Sequence, residues 1–374
     1  MTSSGPLPEG SRLIHIGPHK TGSTSVQSAL HGARRQLSEQ GVYYPKGGWR
    51  RREGGWALGL PGRWAGTPQP PIEVWDELVR EVAAVPELRV CVSNESFARA
   101  DAETATKIVR DLGGDAAHVV AVARRLDRFL PSVWQERIKS RKTFGYDEWL
   151  QVVLRDDKPI YDYRNVWDSH DLQALTQRWT DLVGPERFTL IVRDESDRGQ
   201  LHRVFEELLG LSVGTLVPHA QSNRSLALSE VELVRQLNEA RKRNGWDKAA
   251  YTSFLNDGLL PMFKNREEAA PGPRGPAMPE WALAEVRRLS DQRVDDLRKL
   301  PINIIGDLEW LRVPEDVAAS SQQPSDLTLP VELAAESLEA VIGQALRLLE
   351  GTQRPEGRRV DGLLDRVSRR FRSG

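Results

Sequence analysis

At 374 residues the chain is long enough for one large α/β domain with an appendage, or for two modest domains. With 52 Lys and Arg against 53 Asp and Glu its formal charge is −1, which excludes a global basic field that would draw it to nucleic acid or anionic membrane. A single cysteine, Cys91, excludes an internal disulfide framework and a multi-cysteine zinc site, and it fits a reducing compartment.

The opening MTSSGPLPEGSR lacks the apolar core and cleavage pattern of a secretory signal, and residues 1–11 read as a disordered arm. No apolar run of membrane-spanning length follows, so the expectation is a soluble, cytoplasmic protein. Leu13 to Ile16 begins a strand, which runs into a Gly/Ser/Thr turn and then a helix carrying Val26, Leu30 and Leu37. Residues 46–71, rich in Gly, Pro, Trp and Arg, have neither period and read as a long loop.

A second strand, Leu88 to Ser93, holds Cys91 as a small buried apolar residue and precedes a helix that Asp101 can cap. The run VVAVARR is a third strand, followed by the helix RFLPSVWQERIKSR, and Phe188 to Ser196 is a fourth strand. Strands rich in Val, Ile and Leu that alternate with helical patterns predict an α/β fold, a parallel sheet flanked by helices. Ligands of such sheets bind beyond the carboxyl ends of the strands, so the loops after Ile16, Ser93 and Ala123 should be neighbours.

Downstream, SEVELVRQLNEARKRN reads as an amphipathic helix, Pro261 to Pro279 as an irregular connector, and WALAEVRRLSDQRVDDLRKL as a further helix. The organisation expected is an α/β domain over 12–311, a linker over 312–329, and a mainly helical C-terminal extension over 330–374 with a solvated basic tail.

Ile14 to Ser25, IHIGPHKTGSTS, carries the chemistry. A strand leads to a turn with Gly17 and Gly22, and consecutive backbone N–H groups then open a helix, which makes an anion cradle. Lys20 adds a positive charge, and Ser23, Thr24 and Ser25 add hydroxyls. A nucleotide P-loop of the form GxxxxGK[ST] places Lys directly after the final Gly, whereas Lys20 stands two residues before Gly22. That order disfavours an ATPase or kinase.

In this stretch the sequence resembles the PAPS-dependent sulfotransferases (PAPS is 3′-phosphoadenosine 5′-phosphosulfate), whose first strand ends in a loop of the type PK[ST]G[ST][ST]. Here it stands as PHKTGST, and the inserted His is similar to versions in bacterial members. The resemblance implies a P-loop-like fold with PAPS held by Lys20, Thr21, Gly22, Ser23, Thr24 and Ser25. It also implies that Arg124, at a strand end, and Ser132, eight residues later, bind the 3′-phosphate; Arg125 and Arg128 are nearby alternatives.

The segment QSNRSLALS resembles an element that follows the core in bacterial members, so Asn223, Arg224 and Ser225 can close over the nucleotide. Alternatively Ser225 or Ser229 caps the helix beginning near Glu230. The family's C-terminal Arg-Lys-Gly-type loop is not recognisable. The resemblance covers Arg12 to Asn238.

Sulfuryl transfer needs an in-line acceptor, a base for its proton and stabilisation of the leaving phosphate. Lys20 suits the last role. The family's base is a His or Glu after the second core strand, which implies Glu95, and desolvation there should raise its pKa. His19, inside the loop, and His15, mid-strand, compete for the role. No metal-ligand spacing is present, so no metal is expected.

The family product would be 3′,5′-ADP with a sulfate ester or sulfamate of a small-molecule or carbohydrate acceptor. Trp49, Trp56 and Trp64, among Arg50 to Arg52 and Arg63, can stack on a sugar or aromatic ring and hold an anionic group, or pack the loop on the core. A P-loop kinase or NTPase, and a non-catalytic nucleotide-binding protein, are the rival readings.

Overall fold

Mostly apolar segments of five to seven residues, too short for buried helices, form the inner strands of one parallel sheet in the computed structural model. The structure describes residues 5–45, 50–62, 68–155, 161–217, 226–266, 270, 272–319 and 327–352. The strands are β1 (Arg12–Gly17), β2 (Val42–Tyr43), β3 (Arg89–Ser93), β4 (Ala117–Ala123), β5 (Phe188–Val192) and β6 (Asn303–Ile305). Their order is β2-β3-β1-β4-β5-β6, and every neighbouring pair is parallel.

Helices α1 (Ser23–Gly32), α2 (Arg34–Glu39), α3 (Arg50–Ala57), α4 (Glu73–Ala83) and α5 (Ala102–Leu112) lie in the first part of the chain. They are followed by α6 (Leu126–Lys139), α7 (Tyr146–Arg155), α8 (Tyr161–His170), α9 (Leu172–Val183) and α10 (Gln200–Leu209). The rest are α11 (Leu228–Asn244), α12 (Lys248–Ser253), α13 (Leu260–Asn265), α14 (Glu280–Leu297) and α15 (Val331–Thr352).

Because strand side chains alternate, the central strands feed two cores. Ile14, Ile16, Val92, Val119, Ala121 and Leu190 pack with Trp75 of α4, Ile108 of α5, Trp179 of α9 and Val294 of α14. Leu13, Cys91, Val120, Val122 and Ile191 pack on the other face with Val26 and Leu30 of α1 and Phe205 of α10. The chain leaves β1 for β2 and β3 on one side, then crosses to β4, β5 and β6 on the other. The crevice at the carboxyl end of β1 is therefore the place where loops diverge and a ligand can enter. Asp101 caps α5 as expected, accepting from the Thr104 N–H at 2.8 Å.

Several expectations need correction. Residues 50–57 of the stretch read as a loop are helix α3, which packs on α4; its apolar face is too short to register as a period. The arm read as disordered is tied down over 5–11: the Leu7 N–H bonds the Leu208 carbonyl at 2.9 Å, and Arg89 bonds the Leu7 carbonyl at 2.6 Å. Residues 312–319 of the supposed linker include Arg312, paired with Glu309, Asp295 and Asp291, and the buried Val313. The connector Pro261 to Pro279 begins inside α13, where Pro sits near the helix start and needs no N–H partner. β6 is three residues long and carries no readable pattern.

The division of the chain also differs from a 12–311 domain with an appended 330–374 helix. Residues 1–224 with 273–326 form the sheet-bearing unit, and residues 225–272 with 327–374 form a second, helical one. In the second unit Tyr251 bonds Asn238 at 2.7 Å, Gln344 bonds Ser253 at 2.9 Å, and Arg266 pairs with Glu336. Ala227, not Ser225 or Ser229, stands at the start of α11, and the Glu230 carboxylate accepts its N–H at 2.8 Å. The basic tail lies outside the described residues. No helix of the described residues is long and apolar enough to cross a membrane.

Two histidines tie neighbouring strands together: His118 to Thr189 at 2.8 Å, and His15 to Ser93 at 2.7 Å. Burial pushes both pKa values down to about 4, with Arg187 adding to the effect on His118 and Glu95 opposing it on His15. Unfolding returns each imidazole to its ordinary value of 6.5, so the unfolded chain takes up protons first as pH falls. This contribution to stability is intact above pH 6.5 and drains away toward pH 4. The urea midpoint should be lower at pH 5 than at pH 7, and His118→Gln should narrow that difference by about 2 kcal/mol of unfolding free energy.

Candidate functional site

The loop from Gly17 to Gly22 occupies the crevice at the end of β1. Gly17 (φ 86°) and Gly22 (φ 114°) adopt conformations that L side chains rarely take, and both are also closely packed. A Cβ on Gly17 would stand 2.8 Å from Glu95 Cβ, and one on Gly22 would stand 2.6 Å from Leu201 Cδ1. Lys20 (φ 65°) is also left-handed, although it is not glycine. Such strain persists only where neighbours impose it.

Two arginines impose it. Arg124 Nη1, at the end of β4, donates to the Lys20 carbonyl at 3.0 Å, and Arg193 Nη1, at the end of β5, donates to the Thr21 carbonyl at 3.1 Å. His170 Nε2 donates to the His19 carbonyl at 3.1 Å. With three consecutive carbonyls engaged, the N–H groups that open α1 have no side-chain cap among the described residues, an arrangement that can receive an anion.

Lys20 Nζ donates to Glu136 of α6 at 2.9 Å, and Lys139 approaches the same carboxylate at 3.0 Å. Against the burial that would raise it, these two ammonium groups hold the Glu136 carboxyl well below the usual carboxylate range. The Arg124 fork meets Glu195 through Nε at 2.6 Å and Nη2 at 3.1 Å, and Arg193 stands 3.8 Å from Glu195. Burial and the Arg124 charge lower the Arg193 pKa. Glu195 is likewise held low by Arg124 and Arg193, although burial opposes this.

Glu95 follows β3, and both its oxygens are engaged. Arg52 of α3 reaches Oε1 at 3.0 Å, and Gln27 of α1 donates to Oε2 at 2.8 Å. His19 Nδ1 is 3.7 Å from Oε1, while His19 Nε2 is buried without a partner among the described residues. Burial alone would raise the Glu95 pKa, as expected from sequence, but the opposite holds: His19 when it is protonated, and Arg52 and the Gln27 bond throughout, outweigh it and hold the carboxyl low. Burial and Arg99 push His19 down to about 3, against Glu95, so its imidazole is neutral at neutral pH.

The other expected residues distribute unevenly. Thr21 Oγ1 is buried and donates to the Pro18 carbonyl at 2.7 Å, so its hydroxyl faces inward and only its N–H serves the cradle. Ser23 Oγ is 3.4 Å from the same carbonyl, Ser25 Oγ pairs with His202 at 3.1 Å, and Thr24 is exposed. Ser132 is not at a helix start, because α6 begins at Leu126; it stands four residues before Glu136, on the face that meets Lys20. Arg125 is committed to Asp127 at 2.6 Å, and Arg128 is exposed.

His15 packs within the sheet. Asn223, Arg224, Ser225, Trp49, Trp64 and Arg63 lie outside the described residues, as do the side chains of Arg50 and Arg51; Trp56 is buried. Among the described residues no three His, Cys, Asp or Glu side chains gather as a metal site.

Sequence reasoning missed Arg193, Glu195, Glu136 and Gln27, and it named Arg52 only within an arginine- and tryptophan-rich stretch, not as a partner of Glu95. Arg193 had a signal, since it ends the fourth strand as Arg124 ends the third. Glu136, Arg52 and Gln27 are brought in by helix packing and Glu195 by the segment after β5, and none carries a local mark for this role.

The chain matches no protein-family model and no curated protein sequence. Among solved structures it is similar to the crystal structure of a sulfotransferase from Alicyclobacillus acidocaldarius. That likeness has 19% identity and a TM-score of 0.36, and it covers 64% of this chain and 98% of that one. What the coordinates define is a parallel α/β sheet with a cationic, glycine-bounded loop at its crevice.

Gly17→Ala should unfold at lower urea than Gly41→Ala. Both positions have positive φ, but a Cβ at Gly41 meets nothing within 4 Å, whereas at Gly17 it meets Glu95. Gly41→Ala should cost about 1–2 kcal/mol and Gly17→Ala measurably more.

Proposed function

We propose that this chain is a sulfotransferase that moves the sulfuryl group of PAPS to a hydroxyl or amine of a small-molecule or carbohydrate acceptor, releasing 3′,5′-ADP. The observation that carries this reading is the convergence of two anion-binding elements on one loop. Lys20 and the opening turn of α1 come from the end of β1, and Arg124 comes from the end of β4, with its Nη1 3.0 Å from the Lys20 carbonyl. PAPS has two separated anionic centres, a phosphosulfate and a 3′-phosphate. A cradle of N–H groups with a lysine suits the first, and a guanidinium fork suits the second.

In the reaction, the acceptor oxygen or nitrogen forms a bond to sulfur while the bond from sulfur to the 5′-phosphate oxygen breaks, and the electron pair leaves on that oxygen. Lys20 and the cradle stabilise the growing charge. The acceptor proton passes to His19 Nε2, which has no partner among the described residues, while both oxygens of Glu95 are held by Arg52 and Gln27. Glu95, 3.7 Å from Nδ1, faces the imidazolium that forms. Glu95 thus acts beside the base, whereas the family resemblance makes it the base itself. A cytoplasmic setting suits the lone buried Cys91.

Calorimetry should find that 3′,5′-ADP binds and that ATP with magnesium does not displace it; the reverse preference would refute the reading in favour of a kinase or NTPase. Labelled sulfate transfer from PAPS to a panel of acceptors should fall about 10²–10³-fold in Lys20→Ala. A chain that binds 3′,5′-ADP but transfers nothing would be a non-catalytic binding protein. Under conditions where chemistry limits the rate, His19→Gln should lose more turnover than Glu95→Gln, by about tenfold or more. Equal or reversed losses would return the role of base to Glu95.

A further inference from the structure

The fork of Arg124 is not open. Its Nε and Nη2 both bond Glu195, at 2.6 and 3.1 Å, and only Nη1 turns to the Lys20 carbonyl. Those two N–H vectors are the ones a phosphate would take from a guanidinium, so a carboxylate of the chain itself fills that position. Glu195 lies in the irregular segment after β5, outside helix and strand, and its side chain is one-fifth exposed. A second cation, Arg193, stands 3.8 Å away, and Arg125 contributes its charge from the same end of the sheet while bonded to Asp127.

We infer that Glu195 is an internal competitor for the 3′-phosphate position, occupying the Arg124 fork in the free protein and expelled from it by the ligand. The inference rests on the proposed role of Arg124 in the sulfotransferase reading. A phosphomonoester brings about two negative charges and three acceptor oxygens against one charge and two oxygens, so it can displace the carboxylate. Like-charge repulsion then prevents both anions from sharing the fork. The displaced side chain stays within reach of Arg193 and returns when product leaves. Glu195 therefore lowers the affinity for 3′,5′-ADP and hastens its release.

The experiment is calorimetry of 3′,5′-ADP and of 5′-AMP with the wild-type chain, Glu195→Gln and Glu195→Ala, with stopped-flow dissociation of 3′,5′-ADP. Unfolding midpoints of the three proteins would be compared to establish that each is folded. The expected result is that both variants bind 3′,5′-ADP about tenfold more tightly and release it more slowly, while 5′-AMP affinity changes less than about twofold. Weaker binding of 3′,5′-ADP in the variants would mean that Glu195 orients Arg124 for the ligand, and the competitor role is overturned; unchanged binding overturns it as well. If the wild-type chain binds 5′-AMP as tightly as 3′,5′-ADP, Arg124 is not a 3′-phosphate site. That outcome removes the underlying reading itself, apart from anything Glu195 does.

Discussion

The site depends on the grip of two arginines on two consecutive carbonyls. Arg124 holds that of Lys20 and Arg193 that of Thr21, from the ends of adjacent strands whose register is fixed by the sheet. Backbone at positive φ at Lys20, which is not glycine, is unfavourable by itself and would relax if those carbonyls were free. Held in place, it directs N–H groups to one side and leaves the amino end of α1 uncapped, a combination that attracts an anion. The glycines follow from the same constraint: Gly17 lets the loop lie against Glu95, and Gly22 lets Leu201 and Arg193 approach.

Charge at this end of the sheet is arranged in matched pairs. Lys20 meets Glu136, Arg124 meets Glu195, and Arg52 meets Glu95. An unpaired charge in a partly dry crevice is costly, so a near-neutral chain that concentrates cations at one loop brings carboxylates with them. The arrangement makes the cradle sensitive to exchange of one anion for another. It also explains why Glu95, although buried, stays ionised: one guanidinium and one amide hold its two oxygens, and the adjacent imidazole is left neutral, its Nε2 without a partner among the described residues.

How far the site was readable depended on where each residue lies in the chain. Lys20 and Gly22 announce themselves because they lie in the loop that joins the first strand to its helix, and Arg124 because it directly follows a strand, the places where an α/β sheet gathers its ligand groups. Arg193 sits at such a position too. Ser132 was legible as a neighbour of that region but not as a mid-helix residue, since α6 starts six residues earlier than its hydroxyl would suggest. The expected rise in the Glu95 pKa considered burial alone. Arg52, which reverses it, comes from a helix whose eight residues, RRREGGWA, have no apolar face to betray it.

By itself the sequence determined the parallel sheet, the loop at the end of its first strand and the presence of a lysine there. These follow from periodicity, glycine placement and strand ends, which are local properties. Only the tertiary structure decided which carboxylates sit on Lys20 and Arg124, the protonation of Glu95 and His19, and the grouping of residues 225–272 with 327–374. Pairing and desolvation act across distances in space that sequence separation does not encode. Glu136 lies 116 residues from Lys20, and Glu195 lies 71 residues from Arg124.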